Sequence, residues 1–234
     1  MRAARNSSGF NPYIRDRGKK RRSPRALIAA LVTSLGLAAA LTVGAASPAY
    51  AANAPGTFIM STKSVAAPRG FTGVCEKYAW ACLSRSKHSK THSADQKLDL
   101  ARKVNTTINR RVREISDVRQ YRVAELWALP TRRGGDCEDF ALLKKKTLIT
   151  HGIPAERLLI ATVLDRKKRP HAVLVMRTEK GDFILDNQTN RIVPWNKTGY
   201  SFLRMQRPDA PSQWMAIMSG GIFDKRPTRL GAGT

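Results

Sequence analysis

The chain has 234 residues, with 42 Lys+Arg against 17 Asp+Glu, which gives a net charge of +25. That length suits one domain with a hydrophobic core, and a hydrophobic content of 42% excludes a wholly disordered polyelectrolyte. The basic charge is not confined to the N-terminus, because residues 52–234 hold 33 basic and 16 acidic side chains, a net charge of +17.

The N-terminal residues have the pattern of a secretory signal peptide. A basic segment at 15–25 precedes an uncharged apolar stretch at 26–44, and a small-x-small pattern ends at Ala51. An uncleaved membrane anchor is the alternative, since 19 residues nearly span a bilayer. We predict cleavage near Ala51, because the stretch is rich in alanine and Pro48 breaks a helix just before that point. The mature protein is then exported or periplasmic, with no stable membrane span.

Export determines how the three cysteines are interpreted. Cys75 and Cys82 are predicted to form a disulfide, because an oxidising compartment permits one. Cys137 is then an unpaired thiol, which calls for a functional explanation. A zinc site made of the first two cysteines with His88 and His92 is the alternative, but the spacing does not match a zinc finger.

Composition divides the chain into segments. The signal peptide occupies residues 1–51. Residues 52–70 are rich in Ala, Pro, Ser, Gly and Lys and are predicted to be a flexible lead. The folded domain is predicted at 71–220, followed by a C-terminal tail at 221–234.

Two helices are predicted in the first half of the domain. Apolar residues recur at three- and four-residue steps over 95–118, with a solvated basic face between them. An irregular connection at 121–130 is expected to bury Trp127. The second helix is predicted at about 137–150, with Asp136 as its N-cap. Three basic residues lie towards its C-terminal end, where they suit the helix dipole: Lys144, Lys145 and Lys146.

After the second helix the hydrophobic period changes to two, which predicts strands. The five predicted strands are 157–164, 171–177, 182–185, 191–194 and 200–205. Helices followed by an antiparallel sheet indicate the α+β class.

The second and third strands are predicted to form a hairpin. A two-residue turn at 179–180 pairs Thr178 with Gly181 and makes His171 and Asp186 diagonal neighbours on one face of the sheet. A register slip of one residue would send Asp186 to the opposite face.

Cys137 lies where a nucleophilic thiol is expected. The first turn of a helix exposes unpaired N–H groups, which favour the thiolate. Asp136, Glu138 and Asp139 oppose the thiolate unless they point away, cap the helix or bind a cation. A buried structural cysteine is the alternative.

His171 and Asp186 are the candidate base and its orienting carboxylate. His171 opens an apolar strand, and Asp186 closes the next one. Of the other histidines, His88 and His92 lie in a polar loop, and His151 lies about four turns from Cys137 along the same helix. From position alone, His171 could equally be an ordinary strand-edge histidine and Asp186 part of an Asx turn.

Several motifs together resemble the bacterial transglutaminase-like cysteine proteinases, over roughly residues 70–218. They are Trp127-Ala-Leu-Pro130, Gly134-Gly-Asp-Cys-Glu-Asp-Phe-Ala-Leu142, Gly152-Ile-Pro154, Pro170-His-Ala-Val-Leu174 and Gly181-Asp-Phe-Ile-Leu-Asp-Asn187. The resemblance implies a papain/transglutaminase-like core with the catalytic cysteine at a helix N-terminus. It implies Cys137 as nucleophile, His171 as base and Asp186 as orienter. It also implies calcium at Asp136, Glu138 and Asp139.

The resemblance implies an exported thiol endopeptidase that requires calcium. Characterised members of the family release large surface adhesins under the control of an inner-membrane cyclic-di-GMP receptor, so a protein substrate and such a receptor are the implied partners. Acyl transfer or amide hydrolysis by the same triad is one alternative, because these reactions share a thioester. A non-catalytic basic module that binds anionic surfaces is another. No nucleic-acid-binding motif is present, and nucleic acid is not expected as a partner.

Overall fold

An antiparallel sheet follows a set of helices in the part of the chain that the computed structural model describes, residues 57–86 and 90–224. This order confirms the predicted α+β class. All of these residues belong to one compact unit. The predictions that fall outside them are the signal peptide at 1–51, cleavage near Ala51, the placement of His88 and most of the tail at 221–234.

Seven strands form the sheet in the described residues, and every neighbouring pair is antiparallel. They are β1 (Ser64–Val65), β2 (Leu158–Leu164), β3 (Pro170–Thr178), β4 (Gly181–Leu185), β5 (Val193–Pro194), β6 (Ser201–Gln206) and β7 (Trp214–Ser219). Their spatial order is β1-β7-β6-β2-β3-β4-β5. Strands β2 to β6 correspond to the five predicted ones. Strand β1 has only two residues and β7 lacks a strict alternation of apolar and polar residues, so neither gives a sequence signal.

Four α-helices lie in the described residues. They are α1 (Val74–Lys77), α2 (Ala94–Arg111), α3 (Asp117–Tyr121) and α4 (Cys137–Thr150). Helix α2 begins at a capping box, in which Ser93 and Gln96 exchange side-chain-to-backbone hydrogen bonds. None of the helices in these residues is both long and apolar enough to cross a membrane.

Helix α2 ends seven residues before the predicted position at Val118. Val112 takes extended backbone angles, and the next residues pair with the loop that precedes α4. The N–H of Gly135 donates to the carbonyl of Arg113 at 3.1 Å, and the N–H of Ile115 donates back to Gly135 at 3.0 Å. A Cβ on Gly134 would lie 2.0 Å from the carbonyl oxygen of Arg113, so this approach requires glycine. The apolar periodicity continues to Val118, but it does not reveal the end of α2, because the contacts that end the helix are made with residues about 20 positions further along the chain.

Two of the three lysines predicted to suit the C-terminal end of α4 lie in the protein interior. Lys144 and Lys145 are buried, and only Lys146 of the three lysines is half-exposed. The Lys145 Nζ donates to the carbonyl of Ala81 at 2.6 Å and to Oε1 of Gln206 at 3.0 Å. Burial lowers the pKa of Lys145 to about 7. Helix α4 therefore lies inside the domain, covered by α2 and the sheet, rather than exposing a basic end.

An aromatic cluster joins the segment before α1 to the connection before α4 and to β7. The rings of Phe71, Trp127 and Trp214 pack edge to face, with centroids 5.1 to 5.9 Å apart. Trp127 is buried, as predicted.

The predicted flexible lead at 52–70 is partly built into the sheet. The N–H of Ile59 donates to the carboxylate of Asp182 at 2.8 Å, and the N–H of Asp182 donates to the carbonyl of Thr57 at 3.0 Å. Ile59 is buried in the core, and β1 pairs with β7. The composition of the lead does not reveal this role, because its partners lie more than 100 residues away in the chain.

The predicted disulfide between Cys75 and Cys82 is present, and Cys137 is a free thiol. The disulfide excludes the alternative zinc site, because both sulfur ligands of that site are bonded to each other. His92 instead contacts the carbonyl of His151 through its ring nitrogen at 3.3 Å.

We predict that Lys145→Met does not destabilise the protein near pH 7. Both acceptors of Lys145 keep a second donor, since the carbonyl of Ala81 also accepts from Gln206 and Oε1 of Gln206 also accepts from the N–H of Ile160. The pKa of Lys145 is lower in the folded state than in the unfolded chain, so above about pH 7 the unfolded chain binds more protons. This lysine therefore makes the free energy of unfolding of the wild type rise by roughly 1 kcal/mol per pH unit above pH 7. In the Lys145→Met variant the free energy of unfolding should lack this increase with pH.

Urea unfolding near pH 7 and near pH 9 measures both effects. Lys146→Met, in the same helix but half-exposed, is the matched control and should keep the wild-type pH dependence. A Lys145→Met variant that is unfolded at pH 7 would contradict the prediction.

Candidate active site

The hairpin of β3 and β4 has the predicted register. Thr178 pairs with Gly181 and Leu174 with Leu185. His171 and Asp186 therefore lie on one face, and the Nε2 of His171 is 2.9 Å from Oδ1 of Asp186. Both side chains are buried, at 4% and 3% exposure, so the pair is shielded from water.

The carboxylate of Asp186 accepts two further hydrogen bonds. The hydroxyl of Tyr200 donates to Oδ2 at 2.6 Å, and the N–H of Gln188 donates to Oδ1 at 2.9 Å. Burial alone would raise the pKa of Asp186, but the hydrogen bonds from His171, Tyr200 and Gln188 hold it below its usual value. An ionised carboxylate only accepts hydrogen bonds, so the network assigns the proton to Nε2 of His171 and leaves Nδ1 as an acceptor.

Two side chains that the sequence patterns do not single out hold this pair in place. The Asn109 side-chain amide on α2 donates to the backbone carbonyl of Asp186 at 2.8 Å. The Tyr200 ring lies edge-on to the imidazole of His171, with centroids 5.9 Å apart. Tyr200 directly precedes β6, and nothing in its sequence context distinguishes it from a core aromatic residue.

Cys137 is the first residue of α4 and shares a cleft with His171. The cleft has a volume of about 210 Å³ and is also lined by Trp127 and Thr162. Ala172, the residue after His171 in β3, lines the same cleft. The structure thus brings the cysteine, the histidine and its carboxylate to one end of the sheet.

The thiol of Cys137 donates to Oε2 of Glu138 at 3.1 Å. Burial and then the negative charge of Glu138 raise the pKa of Cys137 well above its ordinary value, and the backbone of Ala172 opposes this shift only weakly. Burial and the acidic neighbours therefore oppose the thiolate, which the helix N-terminus favours. In this arrangement the protonated thiol is the stable form.

An acidic cluster lies beside the cysteine. Asp117, Asp136 and Glu138 each offer an oxygen within 4.8 Å of the others. Burial and mutual repulsion raise the pKa of Asp136 to about 6 and that of Glu138 to about 8. Asp136 is at the N-cap position of α4 but makes no side-chain capping bond, and its buried Oδ1 has no hydrogen-bond partner among the described residues. Three carboxylates with an unpaired oxygen fit a hard cation such as calcium.

This cluster differs from the predicted metal set at one residue. Asp139 is fully buried, and its Oδ1 accepts the N–H of Ala128 at 2.8 Å, which ties the connection before α4 to the helix. Its Oδ2 has no hydrogen-bond partner among the described residues. The cluster includes Asp117 instead. Asp117 has no sequence signal, because it lies 19 residues before Asp136, on α3, and no sequence spacing links the two.

A family model matches residues 61–221, that of the bacterial transglutaminase-like cysteine proteinases. No curated protein matches the sequence. Among solved structures, the chain is similar to calcium-bound Legionella pneumophila LapG, with 23% identity over 53% of this chain and 71% of that one and a TM-score of 0.44. It is similar to EGTA-treated L. pneumophila LapG, with 25% identity over 51% and 67% and a TM-score of 0.43.

We predict that iodoacetamide labels Cys137 and neither other cysteine in the non-reduced protein. Cys75 and Cys82 are joined in a disulfide and cannot be alkylated. Peptide mapping by mass spectrometry identifies the labelled residue. Reduction and unfolding before labelling is the control, and all three cysteines should then react. Labelling of Cys75 or Cys82 without reduction would contradict the assignment.

Proposed function

The chain belongs to the bacterial transglutaminase-like cysteine proteinase family, a family of cysteine peptidases, and from this premise we propose that it cleaves a protein substrate with Cys137, His171 and Asp186 as its catalytic triad. The observation that carries the proposal is that Cys137 and His171 line one cleft while His171 is bonded to a buried carboxylate. Catalytic triads are recognised by this geometry of nucleophile, base and orienting group.

In the proposed reaction Nδ1 of His171 accepts the proton of the Cys137 thiol as the sulfur attacks the carbonyl carbon of the scissile peptide bond. The imidazolium then gives that proton to the leaving amine, and a thioester remains on the cysteine. Water, deprotonated by the same imidazole, attacks the thioester and releases the new carboxyl end and the thiol. Asp186 keeps the imidazole oriented and stabilises its positive charge.

The start of α4 at Cys137 contributes to this reaction through its backbone. The N–H groups of the first helical turn have no partner within the helix. A carbonyl oxygen that becomes negative as the sulfur attacks can be stabilised by such donors. This proposal is supported by the position of the nucleophile as the first residue of the helix.

We propose that calcium binds at Asp117, Asp136 and Glu138. The proposal is supported by the all-oxygen donor set and by the unpaired buried oxygen of Asp136. When bound, a divalent cation supplies positive charge that offsets the carboxylates opposing the Cys137 thiolate. The raised pKa of Glu138, which arises first from burial and then from Asp136, indicates the electrostatic cost that the cation relieves.

The substrate, location and partners of the enzyme are proposed from the family resemblance and from the N-terminal pattern. A large surface adhesin is the proposed substrate, the periplasm the proposed location, and an inner-membrane cyclic-di-GMP receptor the proposed regulator. Acyl transfer by the same triad is the alternative reaction, because both reactions pass through a thioester. Hydrolysis gives shortened chains, whereas acyl transfer gives isopeptide links, and mass spectrometry of the products separates the two.

We predict that Cys137→Ala abolishes cleavage and retains the substrate. Without the sulfur no thioester forms, and removal of a catalytic nucleophile in other hydrolases lowers kcat by about a million-fold. The variant, expressed in the native host and recovered by affinity purification, should capture a protein that the wild type releases as shortened fragments. Cleavage of the captured protein by Cys137→Ala at the wild-type rate would contradict the proposal.

We predict that Asp117→Asn weakens calcium binding and that Asp139→Asn does not. Asp117 is in the acidic cluster, whereas Asp139 bonds to the backbone of Ala128. The rise in melting temperature on adding calcium should therefore shrink or vanish for Asp117→Asn, while Asp139→Asn should melt at a lower temperature and keep the rise.

Thermal melts in excess calcium and in excess EGTA measure these shifts. Asp99→Asn on the exposed face of α2 is the control, because its carboxylate pairs only with Arg102 in the described residues. An undiminished calcium-induced rise for Asp117→Asn would contradict the proposed ligand set.

A further inference from the structure

A basic cavity lies at the same end of the sheet as His171 and Asp186. Its volume is about 390 Å³, and three loops line it. The β2–β3 turn, the loop between β4 and β5, and the turn after β5 each contribute cations. The basic residues that line the cavity are Arg166, Lys167, Arg169, Arg191 and Lys197, and its one acidic residue is Asp165.

Asp165 does not neutralise the cavity, because its carboxylate is already used in the β2–β3 turn. Its Oδ1 accepts the N–H groups of Lys167 and Arg169 at 2.7 and 3.0 Å. Its Oδ2 pairs with the guanidinium of Arg169 at 2.7 Å. Asp165 is buried, so it organises the turn and cancels the charge of Arg169 alone.

The four other cations of the cavity have no acidic partner in the part of the chain that the structure describes. Lys167, Arg191 and Lys197 are exposed and make no ion pair there. Arg166 donates its Nε to the carbonyl of Thr198 at 2.8 Å, which anchors the side chain and leaves its terminal amino groups available. Anchored guanidinium groups that lack a carboxylate suit the recognition of an anion.

The cavity is continuous with the space around the nucleophile. Asp165, Arg169 and Gln188 line both the cavity and an adjoining space that is also lined by Cys137 and His171. Arg169 lies two residues before His171 in the chain, and Gln188 lies two residues after Asp186. A polypeptide whose scissile bond lies at Cys137 can therefore extend directly into the basic cavity.

We infer that the basic cavity is a substrate subsite that binds the carboxylates of an acidic stretch of the polypeptide, a few residues to one side of the bond that is cut. The inference rests on the proposed proteolysis and adds the chemical class of sequence that the enzyme selects. Continuity with the cleft favours a substrate segment over a free anion or a lipid headgroup, neither of which needs a path to the cysteine. Carboxylates that enter the cavity pair with cations that otherwise repel one another.

A peptide library tests the inference. The library is made by digesting a proteome with a lysine-specific protease, and it is treated with the exported protein in the presence of calcium. Sequencing of the new termini should show Asp and Glu enriched at fixed positions on one side of the cut. Two synthetic peptides taken from the most efficiently cut sequence, one with its acidic residues and one with Asn and Gln in their place, then serve as kinetic probes.

The double variant Arg191→Gln/Lys197→Gln removes two unpartnered cations of the cavity without touching the catalytic residues. For the acidic peptide its KM should rise at least about fivefold with little change in kcat, because it loses binding that is equal in ground and transition states. For the amide peptide KM should change less than about twofold. The control Lys103→Gln/Arg110→Gln removes the same charge from exposed positions on α2 and should behave as wild type with both peptides.

The outcomes separate the subsite from the proposed function. Cys137-dependent cleavage with no acidic preference, or equal losses in the cavity variant and the α2 control, would overturn the subsite and leave proteolysis standing. Loss of the preference when inorganic phosphate, but not chloride at equal ionic strength, competes with the acidic peptide would support an anion site at the cavity. Absence of any Cys137-dependent cleavage would overturn both proposals.

Discussion

Asp186 is a buried carboxylate, and burial of an ionised group is costly unless hydrogen bonds compensate for the lost hydration. Here the compensation comes from the ring of His171 on β3, the hydroxyl of Tyr200 before β6 and the N–H of Gln188 in the next loop. Asn109 on α2 holds the backbone carbonyl of the same residue. Strands, loop and helix must all be in place for the charge to be tolerated, so the stability of the fold and the orientation of the imidazole depend on the same interactions.

A second electrostatic constraint arises from the acidic cluster beside Cys137. Asp117, Asp136 and Glu138 are crowded beside Cys137, and burial together with their mutual repulsion favours their protonated forms and the protonated thiol. The proposed cation would reverse this balance. Four cations that lack an acidic partner in the described residues line the basic cavity, and none of the three carboxylates of the cluster lines it. Proposed metal binding thus uses negative charges at the starts of α3 and α4, and proposed substrate recognition uses positive charges on three loops.

Much of the candidate site could be predicted because its determinants are local. The turn at 179–180 sets the hairpin register, and with a side-chain period of two the register decides that His171 and Asp186 share a face. The glycines and the aspartate before Cys137 mark the start of α4, and this requires only the neighbouring residues. The metal ligands stay a prediction, since Asp136, Glu138 and Asp139 were chosen for their sequence proximity, while the cluster in the fold also includes Asp117 from a different helix.

The sequence by itself determined the α+β order of elements, the family, the disulfide between Cys75 and Cys82 and the hairpin that joins His171 to Asp186, because each depends on periodicity, spacing or a motif within a short segment. Only the tertiary structure decided that α2 ends at Arg111 and that Lys145 is buried against Ala81 and Gln206. It also decided that Thr57 and Ile59 bond to Asp182 on β4 and that residues 64–65 form the edge strand β1. These features arise from contacts between residues far apart in the chain, and a one-dimensional pattern contains no information about which distant partners satisfy a buried charge or an exposed backbone group.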